Sequence, residues 1–129
     1  MFGILIVEDN DIFRGLLKET LTQQFPSVDI FEAVDGVEAI QKVETFLPDL
    51  IFMDLSLHGK NSFHVIRKIK AEYPNIIIAV LTAYNILEYE VAARQSKADY
   101  FLVKGISTQE DIVKLVESTL SARNLGAET

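Results

Sequence analysis

The chain of 129 residues contains no cysteine. Disulfide staples, thiolate metal ligands and cysteine nucleophiles are therefore excluded, and the composition fits a reducing compartment. Positive charge is scarce too: 12 Lys and Arg stand against 19 Asp and Glu, giving a net charge of −7 and a pI near 4.7. Nucleic-acid binding depends largely on Lys and Arg neutralising phosphates, so this domain alone is expected not to grip DNA or RNA. Cations and basic protein surfaces are the favoured partners. No long hydrophobic run occurs either. The longest, IIIAVLTA at 76–83, is far short of the roughly 20 residues needed to span a bilayer. The opening MFGILIV has no basic segment or small-residue cleavage site and meets acidic residues at once. No signal peptide, no membrane contact and a cytoplasmic location are expected.

What the chain does have is 49% hydrophobic residues, enough for one compact core. Five short apolar runs recur: ILIV (4–7), VDIFEA (28–33), DLIFMD (49–54), IIIAVLT (76–82) and DYFLV (99–103). The first, third and fourth are nearly continuous, as expected of strands buried on both faces of a parallel sheet, whereas the second alternates and reads as an edge.

Helical patterns lie between them. Ile12, Phe13, Leu16, Leu17, Leu21 and Phe25 repeat at helical spacing, with Asn10 or Asp11 as N-cap and Pro26 as the stop. A second stripe, Val37, Ile40, Val43 and Leu47, follows the Asp35-Gly36 turn signal, and a third, Phe63, Ile66, Ile69 and Tyr73, ends at Pro74. Leu87, Val91 and Ala92 make a weaker fourth, and Ser107 to Glu110 fits a capping box ahead of Ile112, Leu115, Val116 and Leu120. Each stripe is explained as core. The domain is placed at 3–122, with 123–129 as a tail or the start of a linker. Alternating strands and helices predict an α/β fold: a doubly wound parallel sheet with helices on both faces.

In such a sheet a ligand sits outside the carboxyl ends of the strands. Those ends carry Glu8 and Asp9, Asp54, Thr82 and Lys104. The acidic end of LIVEDND, with hardly a counter-charge nearby, thus becomes one part of an acidic pocket containing a lysine and a hydroxyl. Carboxylates at one rim suit a hard divalent cation such as Mg²⁺, and Asp54 at the end of an apolar strand would be costly if left uncompensated.

The motifs VEDN, FMDLSL, LTAY and FLVKG, in this order and at these strand ends, resemble the receiver domain of two-component response regulators over residues 3 to 122. The resemblance implies a five-stranded, flavodoxin-like sheet of order 2-1-3-4-5. It also implies a Mg²⁺ site at Glu8, Asp9, Asp54 and the Ser56 carbonyl, with Asp54 as phosphoacceptor. Thr82 and Lys104 would contact the phosphoryl group, and Thr82 with Phe101 would form the switch. The implied function is a phosphorylation-dependent signalling switch rather than a turnover enzyme. Its donor would be a sensor histidine kinase or histidine phosphotransfer protein, with receiver homodimerisation on phosphorylation. Ser56 and Tyr84 would flank the phosphoryl group. The alternative is a degenerate receiver acting as a phosphorylation-independent interaction module, although Asp54, Thr82 and Lys104 are all retained. A flavin binder would need a Ser/Thr/Gly-rich phosphate loop where EDNDIF stands. A haloacid-dehalogenase-type phosphatase would need an acid where Ser56 stands.

Departures from the family pattern are Gly105 where proline is usual, His58 where proline is common, and Ser62 where glycine is common. Without proline, the Lys104–Gly105 peptide is expected to be trans. His58 and His64 are read as surface side chains.

Overall fold

The structure is a computed structural model, and it describes residues 1–55, 62–83 and 87–128. Strands and helices alternate: β1 (Gly3–Val7), α1 (Asp11–Gln24), β2 (Asp29–Ala33), α2 (Gly36–Phe46), β3 (Leu50–Met53), α3 (Ser62–Glu72), β4 (Ile77–Thr82), α4 (Leu87–Gln95), β5 (Tyr100–Val103) and α5 (Gln109–Glu128). The five strands are all parallel and run in the order β2-β1-β3-β4-β5. The continuous runs form the interior strands: every residue of β1 and β3 is buried, whereas β2 and β5 lie at the edges.

Pleating divides the core in two. Leu5, Val7, Ile51, Met53, Ile78 and Val80 pack with α2, α3 and Ala93 of α4, while Ile4, Ile6, Leu50, Phe52, Ala79 and Leu81 pack with α1 and α5. Successive strand residues face opposite sides, so each interior strand contributes apolar groups to both layers. This is why their sequences lack alternation.

Local signals set most helix ends. Asn10 Oδ1 accepts from the Phe13 N–H at 2.9 Å, and Asp35 Oδ1 from the Glu38 N–H at 2.8 Å. The α5 cap differs from the expected Ser107–Glu110 box. Thr108 and Asp111 exchange the reciprocal bonds, at 2.8 and 3.1 Å, while Ser107 Oγ accepts from the Val103 N–H at 3.0 Å. Ser107 is held back by β5, which moves the cap on by one residue. The helix runs on through Glu128. Arg123 Nη2 donates to the Asn75 carbonyl at 2.5 Å and ties this part of α5 to the α3–β4 turn.

The expectation that every helical stripe is core needs correction. Ile12, Leu16, Val37, Leu47, Leu87 and Val91 are exposed. Leu47 is the C-cap beyond α2, with a left-handed backbone at φ 47°; the others sit on flanks of their helices that the sheet does not reach, and α4 buries only Ala93. Helical periodicity identifies a face, but the width of the neighbouring layer decides how much of it is covered.

Candidate functional site

Register determines which side chains meet at the carboxyl rim. Val7 stands opposite Met53, and Met53 opposite Val80. The next residues, Glu8 and Asp54, therefore leave adjacent strands at the same level, and the Asp54 N–H continues the ladder to the Val7 carbonyl at 3.0 Å. Because Val7 and Met53 face the α2–α4 layer, their successors turn towards α1 and α5. Lys104 joins them from β5, its N–H donating to the Thr82 carbonyl at 2.8 Å.

Glu8, Asp9 and Asp54 each place a carboxylate oxygen within 4.8 Å of the others. Lys104 Nζ stands 2.5 Å from Glu8 Oε1 and 3.8 Å from Asp54 Oδ2. Glu8, Asp54 and Thr82 are buried, and Asp9 and Lys104 are half-buried. Among the site residues predicted from sequence, these five come together at the rim. Phe101 lies deeper, opposite Val80, and packs against the α2–α4 layer. Thr82 shares that face by strand alternation. Ser56, Tyr84 and His58 lie outside the described residues; His64 is exposed, as expected.

The electrostatics of the pocket centre on Glu8. Burial pushes its carboxyl up to about 7; the Lys104 hydrogen bond and the Asn10 N–H oppose this, and neighbouring Asp54 adds to it. The short Lys104 contact favours a charged Glu8, but burial beside a second carboxylate outweighs one ammonium shared between them. The three acids supply only oxygen donors, a set that suits a hard cation. Glu8, Asp9 and Asp54 are the residues that would hold such an ion.

Several neighbours were not legible as site residues. Phe13, assigned to the core stripe, places its ring centroid 4.1 Å from Lys104 Nζ, a cation–π arrangement. Ser62 Oγ donates to the Asp54 carbonyl at 3.2 Å, so the serine that departs from the family pattern fastens the backbone of Asp54. Arg14 donates to the Glu8 carbonyl at 2.8 Å. Its sequence signal was a lone cation three residues beyond Asp11. The Lys104–Gly105 peptide is trans, as expected, and Gly105 has φ +84°. Proline fixes φ near −65°, so this loop is built for glycine.

Comparison with known proteins agrees with the geometry. The model described as "Response regulator receiver domain" matches residues 4–117. An uncharacterized transcriptional regulatory protein, YhcZ of Bacillus subtilis, is 31% identical over 107 residues, covering 83% of this chain and 50% of that protein. The aerobic respiration control protein ArcA of Escherichia coli K12 is 31% identical over 126 residues, covering 98% of this chain and 49% of that protein. The chain thus spans about half the length of these two relatives. The CheY-like receiver domain protein from Methanospirillum hungatei JF-1 superposes with a TM-score of 0.87 at 21% identity, covering 98% of each chain, a likeness of fold. With its parallel sheet, its acidic rim and a family match covering most of its length, the chain belongs to the response regulator receiver domain family.

Proposed function

We propose that Asp54 accepts a phosphoryl group from a phosphohistidine donor in a Mg²⁺-dependent reaction, and that Thr82 and Phe101 convert this event into a changed surface. The observation that carries the reading is the meeting of Glu8, Asp9, Asp54 and Lys104 at one strand rim. Glu8, Asp9 and Asp54 would hold the ion, with the Ser56 carbonyl as the further ligand the family resemblance implies. A bound Mg²⁺ supplies charge neutralisation at the phosphoryl oxygens.

Asp54 attacks phosphorus in line, an oxygen–phosphorus bond forms, and the donor's phosphorus–nitrogen bond breaks. The departing imidazole takes a proton from solvent. Lys104 shifts from Glu8 towards the incoming oxygens, balancing their charge. The Thr82 hydroxyl donates to the phosphoryl group, and movement of Thr82 opens room for Phe101 on the same face of the sheet. One covalent charge thereby biases a two-state element.

A sensor histidine kinase or histidine phosphotransfer protein is the proposed donor. Ile12, Leu16 and Ile106, which are 77%, 59% and 65% exposed, offer it an apolar landing beside the pocket. Exposed Leu87, Val91 and Tyr100 favour self-association through α4 and β5 after phosphorylation. Such a domain would act in the cytoplasm; among the described residues no helix is long and apolar enough to cross a membrane. The interaction-module alternative has no observation in its favour.

The test is incubation with acetyl phosphate and Mg²⁺, followed by intact-mass measurement. Wild-type protein should gain one phosphoryl group that hydroxylamine removes, and Asp54→Asn should gain none. Equal labelling of the variant would overturn the assignment.

A further inference from the structure

The Arg14 side chain is only 15% exposed, although it lies on the first turn of a surface helix. Its guanidinium meets three elements at once. Nη1 donates to the Glu8 carbonyl at 2.8 Å, Nη2 to Asp11 Oδ1 at 2.7 Å and Nε to Glu32 Oε1 at 3.2 Å. Glu32 is on the edge strand, opposite Ile6, and is braced in turn by Lys18 at 3.1 Å. An ion pair with an exposed partner such as Asp11 adds little to stability, about 0–1 kcal/mol, and neither carboxylate pair accounts for the donor that Arg14 directs to a backbone oxygen.

The position of that oxygen supplies a better reason. The Glu8 carbonyl belongs to the peptide plane shared with Asp9, and a peptide plane is rigid. Holding the oxygen fixes the plane from which both neighbouring carboxylates project. The Asn10 N–H, donating to Glu8 Oε2 at 3.1 Å, secures the side chain of the same residue. We propose that Arg14 is a positioning residue for the acidic rim, setting the relative directions of the Glu8 and Asp9 carboxylates for a divalent cation.

This role rests on the Mg²⁺ reading given above. It requires the planar fork of arginine, because a lysine ammonium is a compact point charge and cannot present the same directed donors to three fixed partners. Groups that orient metal ligands typically alter metal affinity by 10- to 100-fold when changed.

The test is calorimetric titration of the metal-free protein with Mg²⁺, paired with urea unfolding in EDTA, for wild type, Arg14→Lys, Arg14→Met and Glu32→Gln. The Arg14 variants should bind Mg²⁺ about tenfold more weakly and Glu32→Gln about threefold more weakly, beyond any change in the folded fraction. A structural role alone would lower the unfolding midpoint and leave the affinity of the folded protein unchanged. Wild-type-like affinity in folded Arg14→Lys would overturn the positioning role while leaving the metal site standing. If Arg14→Met does not fold, Arg14→Lys and Glu32→Gln decide the question. Failure of wild type to bind millimolar Mg²⁺ would overturn both readings.

Discussion

Lys104 lies closer to Glu8 than to Asp54: its ammonium is 2.5 Å from Glu8 Oε1 and 3.8 Å from Asp54 Oδ2. In the metal-free protein the lysine therefore neutralises the carboxylate that a cation would also use. On the function proposed above, a cation would compete with the lysine for Glu8 and leave the lysine to an anion at Asp54.

Removing the ammonium leaves two buried carboxylates to share one desolvated corner. Lys104→Met should destabilise the metal-free protein by about 1–2 kcal/mol, less than the loss of a fully buried pair because Glu8 can take up a proton. Saturating Mg²⁺ should restore more stability to the variant than it adds to wild type. Urea midpoints with and without Mg²⁺ check this; equal metal-induced shifts would count against the competition.

Glu8 also gives the metal-free protein a pH signature. Its folded carboxyl sits at about 7, above the ordinary 4.5, because burial disfavours its charge. The associated stability is fully present below the unfolded pKa and is lost as pH rises through the folded one. Stability should thus fall between about pH 4.5 and 7 on account of this group, and Glu8→Gln should flatten that part of the profile. Mg²⁺ affinity should rise across the same window, because the ion must displace the proton. Thermal midpoints in EDTA across this range are the measurement, and a Gln variant with an unchanged profile would reject Glu8 as the source.

Gly105 tests the loop that carries the lysine. Its φ of +84° disfavours any L side chain, and an added Cβ would meet nothing within 4 Å. Gly105→Ala should therefore cost about 1–2 kcal/mol through the backbone alone. Gly105→Pro should cost more and slow phosphorylation by acetyl phosphate, because its fixed φ must shift Lys104. Chemical denaturation and labelling rates report the two effects, and a proline variant matching wild type in both would refute this reading of the turn.

The fold was legible because its signals are strong and local. Unbroken apolar runs such as LIFM can be buried on both faces only in the middle of a sheet. The residues following those runs must share a rim, so Glu8, Asp9, Asp54, Thr82 and Lys104 could be found without distances. Arg14 could not, since its partner Glu32 lies 18 residues away on another strand. Phe13 satisfies the helical stripe whether its ring meets core or ammonium. Ile12 and Leu87 fit their stripes equally well, but no neighbouring layer extends over them. The α5 cap moved because Ser107 had a competing partner in β5, a tertiary contact that a four-residue motif does not encode.

The pleat that divides the core also divides the labour of the molecule. Glu8, Asp54 and Lys104 turn to the α1–α5 side, whereas Phe101 packs on the α2–α4 side and Thr82 follows it there. The sheet acts as a wall, and the rim is a doorway through which one small group can touch both rooms. On the function proposed above, a donor protein docked against α1 would leave α4 open to a second protein, so delivery and readout would overlap in time.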